Sequence, residues 1–165
     1  MNRPASRPTS IPRFVEGLDY MRVDHPRYPY KILHDVVIYF PPARPIMPRN
    51  WGLSCEQKRL VWGVIRPHSI TVKAGYSWNG NTCWLDTPRT MLASLVHDLI
   101  YQFSGCADWP KHLDRKWADD LYYSLASGFF KYTNRLGLAM FSGMCWAREP
   151  EAGETVETFA SIEPT

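Results

Sequence analysis

The stretch TMLASLVHDLIYQFSG, residues 90–105, sets Met91, Leu92, Leu95, Val96, Leu99, Ile100 and Phe103 at helical spacing, which predicts a helix packed into a core. In the middle of that run His97 and Asp98 stand side by side. An imidazole and a carboxylate have no place in an apolar interior unless they are paired. Thr87 followed by Pro88 marks the entrance of the helix, a cap and then proline at the first helical position. The helix runs to about Phe103, and Gly105 ends it.

Upstream of this helix the chain reads as strands. KILHDVVIYF, residues 31–40, is bounded by Pro41–Pro42, and LVWGVI (60–65) and SITVKAGYSW (69–78) are separated by a turn at Pro67–His68. A polar loop, NGNTCWLDTPR, spans residues 79–89. Downstream, SGCADWPKHL connects to a second helix over about DRKWADDLYYSLASG, with Trp117, Leu121 and Leu125 on one side. A third helix is expected over about residues 133–147, with Leu136, Met140 and Met144 as its apolar face. The expectation is an α+β fold, a small antiparallel sheet from the N-terminal half followed by three helices.

The chain has 165 residues, which fits one domain, with 45% hydrophobic and 14% aromatic residues arguing for a packed globule. That domain is expected over residues 31–148. Residues 1–30 form an extended Pro/Arg-rich arm, and residues 149–165 an acidic tail with five Glu and no Lys or Arg. Both ends read as poorly structured arms that order only against a partner. A net charge of +3 with scattered basic residues argues against nucleic acid as a partner. The first residues lack an apolar core for a signal peptide, and no run approaches the roughly 20 apolar residues of a transmembrane helix. Cys55, Cys83, Cys106 and Cys145 are too widely spaced for a zinc knuckle and too few for a disulfide framework, so a reducing compartment is the default.

Helical geometry places Tyr101 one turn beyond His97 on the same face, whereas Asp98 is rotated by about 100° onto a neighbouring one. On the second helix Asp119 has Arg115 one turn before it and Tyr122 and Tyr123 one turn after. Two antiparallel helices with a short connection bring Asp119 opposite His97. The result is an imidazole, a carboxylate to orient it, and a second carboxylate, Asp98, free for a cation. Gly80 in the preceding loop lets backbone carbonyls converge, as a hard ion such as calcium requires. An adjacent His then activates a water.

The run AGYSWNGNTCWLDTPRTMLASLVHDLIYQ resembles an uncharacterised phage and prophage family. Its pattern is Ala-Gly-aromatic, Asp-Gly, and a helix carrying His-Asp-x-x-Tyr, continued by Arg-x-x-Ala-Asp and a Gly, matched by Arg115, Ala118, Asp119 and Gly128. The resemblance covers about residues 69–147. More distantly, His-Asp-x-x-Tyr on one helix and an acid on the next are similar to the secreted and parvovirus-capsid phospholipase A2 enzymes. That resemblance implies His97 as general base, Asp119 as the carboxylate that orients it, and Tyr101 as a further member of the catalytic set. Asp98, Asn79, Gly80 and Asp86 would be the calcium ligands. Asn79 stands where the phage family usually has Asp, the loop lacks the multiple glycines of the secreted enzymes, and Asp86 serves equally as a helix cap. Any calcium is therefore expected to be weakly held.

Three functions compete. One is a calcium-assisted lipid esterase carried by a phage, with phospholipid as its partner. Another is a non-enzymatic virion or assembly component, in which the His-Asp-Asp cluster is a buried hydrogen-bond network and the terminal arms lace neighbouring virion subunits. A metal phosphohydrolase of the His-Asp type needs more helical His ligands than the chain supplies, His68 lying beside Pro67 ahead of a strand. The first two place the protein in a virion or the host cytoplasm.

Overall fold

The computed structural model describes residues 13–14, 18–42, 45–55, 60–80, 88–126 and 154–159. The strands are β1 (Arg13–Phe14), β2 (Tyr20–Arg22), β3 (Tyr30–Ile32), β4 (Val36–Tyr39), β5 (Asn50–Cys55), β6 (Leu60–Arg66), β7 (Ser69–Val72), β8 (Ser77–Trp78) and β9 (Glu154–Phe159). The helices are α1 (Pro88–Phe103) and α2 (Arg115–Leu125). One sheet has the order β1-β4-β7-β6-β5-β9 and a smaller one the order β2-β3-β8, with every pairing antiparallel. The class is α+β. The expected third helix, over 133–147, lies outside the described residues, as do Asp86, Thr87 and Gly128.

The alternation of the large sheet aims two rows of side chains at α1. Val36, Val72, Gly63 and Leu53 lie side by side across four strands, and so do Ile38, Ile70, Ile65 and Trp51. All but the glycine and Trp51 are fully buried apolar side chains. Against them α1 sets Met91, Leu95, Val96, Leu99, Ile100 and Phe103, also fully buried. A helix buried on nearly every side, polar residues Thr90, Ser94 and His97 included, belongs in the centre of a fold, and α1 is the piece on which the rest packs. Asp114 caps α2 by accepting the Trp117 N–H at 2.8 Å, and α2 turns Trp117, Ala118, Leu121 and Tyr122 inward.

Two β runs that read as continuous in the sequence are each broken. The 31–40 run splits at Leu33–Asp35 and the 69–78 run at Lys73–Gly75, where Gly75 has φ 89°. In both, one part joins the small sheet and the other the large one, so the two breaks form a single corner. Asp35 pins it, taking a hydrogen bond from the Lys73 ammonium and another from the Ala74 N–H at 2.8 Å. In the 69–78 run the alternation Ile70, Val72, Ala74, Tyr76, Trp78 continues through the corner, so period-two reading misses it, whereas in the 31–40 run it lapses at Leu33–His34–Asp35.

The ends also differ from expectation. Tyr20–Arg22 of the N-terminal arm pairs with β3, and Arg13–Phe14 with β4. Glu154–Phe159 of the acidic tail pairs with β5 along six residues, so this part of the tail is a strand rather than an unstructured arm. Thr155, Val156, Thr158 and Phe159 are good strand formers, and the open edge of β5 supplies the ladder. Among the described residues no helix is long and apolar enough to cross a membrane.

Gly63 sets the distance between sheet and helix. A Cβ there would stand 2.7 Å from Cδ2 of Leu99 and 3.2 Å from the Thr71 carbonyl oxygen, and Leu99 has no solvent to retreat into. Gly63→Val is therefore expected to cost about 1–3 kcal/mol by overpacking, a fall of roughly 2–10 °C in thermal midpoint. A melt followed by circular dichroism checks this, and an unchanged midpoint would mean that Leu99 has room to yield.

Candidate active site

The adjacency of His97 and Asp98 is resolved by the two faces of α1 on which they lie. His97 faces α2. Its Nε2 is 3.0 Å from Oδ1 of Asp119, and because a carboxylate only accepts, Nε2 carries the proton. The Tyr101 hydroxyl donates to the same Oδ1 at 2.6 Å. The Tyr101 ring also stacks on the imidazole with centroids 3.9 Å apart, and Tyr122 meets it edge-on at 5.5 Å. The sequence expectation that Asp119 partners His97 across the helices is met in this geometry. Of the two neighbouring acids on α2, Asp120 instead pairs with Lys116 at 2.7 Å. Arg115 lies exposed at the start of α2.

Asp98 faces the strand side. Its Oδ2 accepts the backbone N–H of Asn79 at 3.4 Å, and its Oδ1 is 3.8 Å from Nδ1 of His97. Both ring nitrogens of His97 therefore look towards a carboxylate. The His97 side chain is 9% exposed and that of Asp98 24%, so the cluster opens to solvent on the Asp98 side. Asn79 meets Asp98 through its backbone rather than its side chain, and Gly80 follows with φ 77°. Among the described residues no group of three or more His, Cys, Asp and Glu side chains is placed to hold a metal ion.

Sequence reading missed the companions of Asp98. Ser94, Asp98 and Gln102 recur every fourth residue and make one polar stripe. Ser94 Oγ accepts the Trp78 indole N–H at 3.1 Å, and Gln102 Oε1 accepts the Tyr76 hydroxyl at 3.0 Å. The signal was an i, i+4, i+8 polar series within an otherwise apolar helix.

Burial disfavours the His97 imidazolium, but hydrogen bonds and charge attraction from Asp119 and Asp98 outweigh it and hold its pKa above the ordinary 6.5. The Tyr101 ring face adds to the attraction for a cation. Burial likewise raises the Asp98 carboxyl above its usual range, against the opposing pull of His97 and the Asn79 N–H. Both groups bind their proton more tightly folded than unfolded, so stability falls as pH rises. The His97 contribution is complete below pH 6.5 and is lost as pH climbs through the raised folded value. The thermal midpoint should accordingly fall as pH is raised above 6.5, and His97→Gln should flatten that slope. A wild-type midpoint that stays constant over that rise would contradict the proton-holding cluster.

In comparisons with family models, with curated proteins and with solved structures, the chain matches none.

Proposed function

We propose that the chain is a bacteriophage or prophage protein with a phospholipase A2-like site that hydrolyses lipid esters. The observation that carries this reading is the orientation of His97. Asp119 holds the ring through Nε2, with the Tyr101 hydroxyl donating to the same carboxylate oxygen, while Nδ1 faces the more open Asp98 side. In the neutral ring Nδ1 then holds the lone pair. A water on that side gives its proton to Nδ1 as its oxygen attacks the ester carbonyl, and His97 returns the proton to the departing alkoxide. Asp119, Asp98 and the Tyr101 ring stabilise the imidazolium formed in between. The raised pKa of His97 makes the neutral base scarcer at neutral pH, so the rate should climb on the alkaline side of 6.5.

Calcium is implied by the resemblance to phospholipase A2. The described oxygen donors are the Asp98 carboxylate and the backbone near Asn79 and Gly80, fewer than the six to eight oxygens that calcium takes. They do not make a calcium cage, and the proton transfers above run through His97 without an ion. Calcium binding is proposed as weak, with a Kd of about 10⁻⁴–10⁻³ M, and Asn79→Asp should tighten it if that side chain faces the ion. Titration calorimetry checks both values, and sub-micromolar affinity would contradict them.

A second reading draws on the near-complete burial of His97 with a carboxylate towards each nitrogen: a stabilising network in a non-enzymatic virion component. On either reading the arms are proposed to contact neighbouring virion subunits, in a particle or in the host cytoplasm. Turnover of mixed phospholipid vesicles, with millimolar calcium and across pH, separates the two. Turnover rising above pH 6.5 is expected, and none on any lipid would leave the structural network.

A further inference from the structure

We infer that Tyr76 and Gln102, with Trp78 and Ser94, are positioning residues that hold the segment Tyr76–Gly80 against α1 so that the Asn79 amide stays on Asp98. The bonds form a ladder. Gln102, Asp98 and Ser94 follow one another up α1 at one-turn intervals, and they take Tyr76, Asn79 and Trp78 respectively. In the outer rungs the Tyr76 hydroxyl donates to the Gln102 amide oxygen and the Trp78 indole N–H donates to the Ser94 hydroxyl oxygen, which itself donates to the Met91 carbonyl at 3.0 Å. The middle rung is a backbone N–H on the carboxylate that adjoins His97 Nδ1.

The outer rungs decide the middle one. At 3.4 Å the Asn79 bond is long, and Asn79 is exposed, so by itself it would not fix a loop. Trp78 is fully buried with its indole on Ser94, and Tyr76 is buried with its hydroxyl on Gln102. These anchors lie before Asn79 in the chain and leave its amide no free choice of direction. Strand β8 is two residues long and, among the described residues, pairs with β3 alone, the pairing being extended backwards by the Ile32 N–H on the Tyr76 carbonyl at 3.0 Å but not forwards past Trp78. Main-chain pairing is thus too short here to place residues 79 and 80, and the side-chain rungs on α1 do so. The Gln102–Tyr76 rung is the more informative to break, because this bond includes none of His97, Asp98 and Asp119.

This inference rests on the hydrolytic reading only for its effect on rate, and its structural content is tested separately. Tyr76→Phe removes one hydroxyl. Hydrogen exchange, read by NMR, is followed at the Trp78 indole N–H and the Asn79 amide, neither of which bonds to that hydroxyl. Core amides at Ile70 and Leu99 report global stability. Exchange at residues 78 and 79 should quicken by about 3–10-fold relative to the core amides. Gln102→Glu, which keeps an acceptor, should leave it as in wild type, and Gln102→Met should reproduce the effect of Tyr76→Phe. Exchange that is unchanged at both residues, or that follows the core amides in proportion, would overturn the inference. If wild type turns over phospholipid, kcat should drop by a similar factor in Tyr76→Phe, and an unchanged kcat would overturn the link to the site. If wild type has no turnover, the esterase reading falls while the exchange result still decides the ladder.

Discussion

His97→Asn is expected to lower phospholipid turnover by about 10²–10⁴-fold while the protein stays folded. Asn is smaller than His and its amide reaches only the level of Nδ1, so the Nε2 bond to Asp119 is lost while the apolar packing of the helix pair remains. What Asn cannot do is take a proton at the Nδ1 position. The imidazolium is lost as well, and with it the slope of stability against pH that the raised His97 pKa creates. The same variant therefore gives two readings. A collapse of rate with a modest change in midpoint assigns His97 to chemistry. An absent wild-type rate together with a midpoint lowered by several degrees assigns it to a network whose loss strands Asp119, at a cost of about 1–3 kcal/mol. Turnover by the variant at the wild-type level would remove the general base from His97 altogether.

The part of this site that periodicity governs was legible. One turn separates His97 from Tyr101, and the antiparallel helix pair with its short connection was enough to put Asp119 opposite them. The apolar faces of α1 and α2 follow from the same spacing. What the sequence hid has local causes. Run 69–78 keeps its alternation while changing sheets, run 31–40 marks the change only by Leu33–His34–Asp35, and the Asp35–Lys73 contact and Gly75 make the corner. The six-residue strand β5, Asn50–Cys55, carries Asn50, Gly52 and Ser54 beside its apolar residues, a composition that reads as a loop until β6 and β9 flank it. The charges of Glu154–Phe159 masked a strand pattern that an edge partner completes. Asp98 was read from the type of residue beside it, as a ligand awaiting a cation. The Asn79 amide and the Ser94–Gln102 stripe depend on tertiary packing, and spacing alone does not show what a polar stripe will meet.

Asp119→Leu should be the most destabilising single change in the site, by about 3–5 kcal/mol. Asp119 Oδ1 accepts from both His97 at 3.0 Å and Tyr101 at 2.6 Å, and its side chain is only 16% exposed. Removing it takes one acceptor from two donors and leaves an imidazole whose proton was held by that charge. On a domain margin of about 5–15 kcal/mol this is a large fraction, and the variant is expected to melt well below wild type. Two companion variants separate the contributions. Asp119→Asn keeps an oxygen for Tyr101 or His97 but removes the charge, so it should cost less than Leu and flatten the pH slope above 6.5. The double variant His97→Leu/Asp119→Leu removes the charge and the imidazole together. It should be less destabilised than the sum of its two single variants, because the imidazole and the carboxylate go together and only the Tyr101 bond to Asp119 is lost besides. Denaturant unfolding of the four proteins measures this coupling directly. Strict additivity would mean that the 3.0 Å contact carries no energy and that the two helices are held by Trp117, Leu121 and the apolar face of α1 alone.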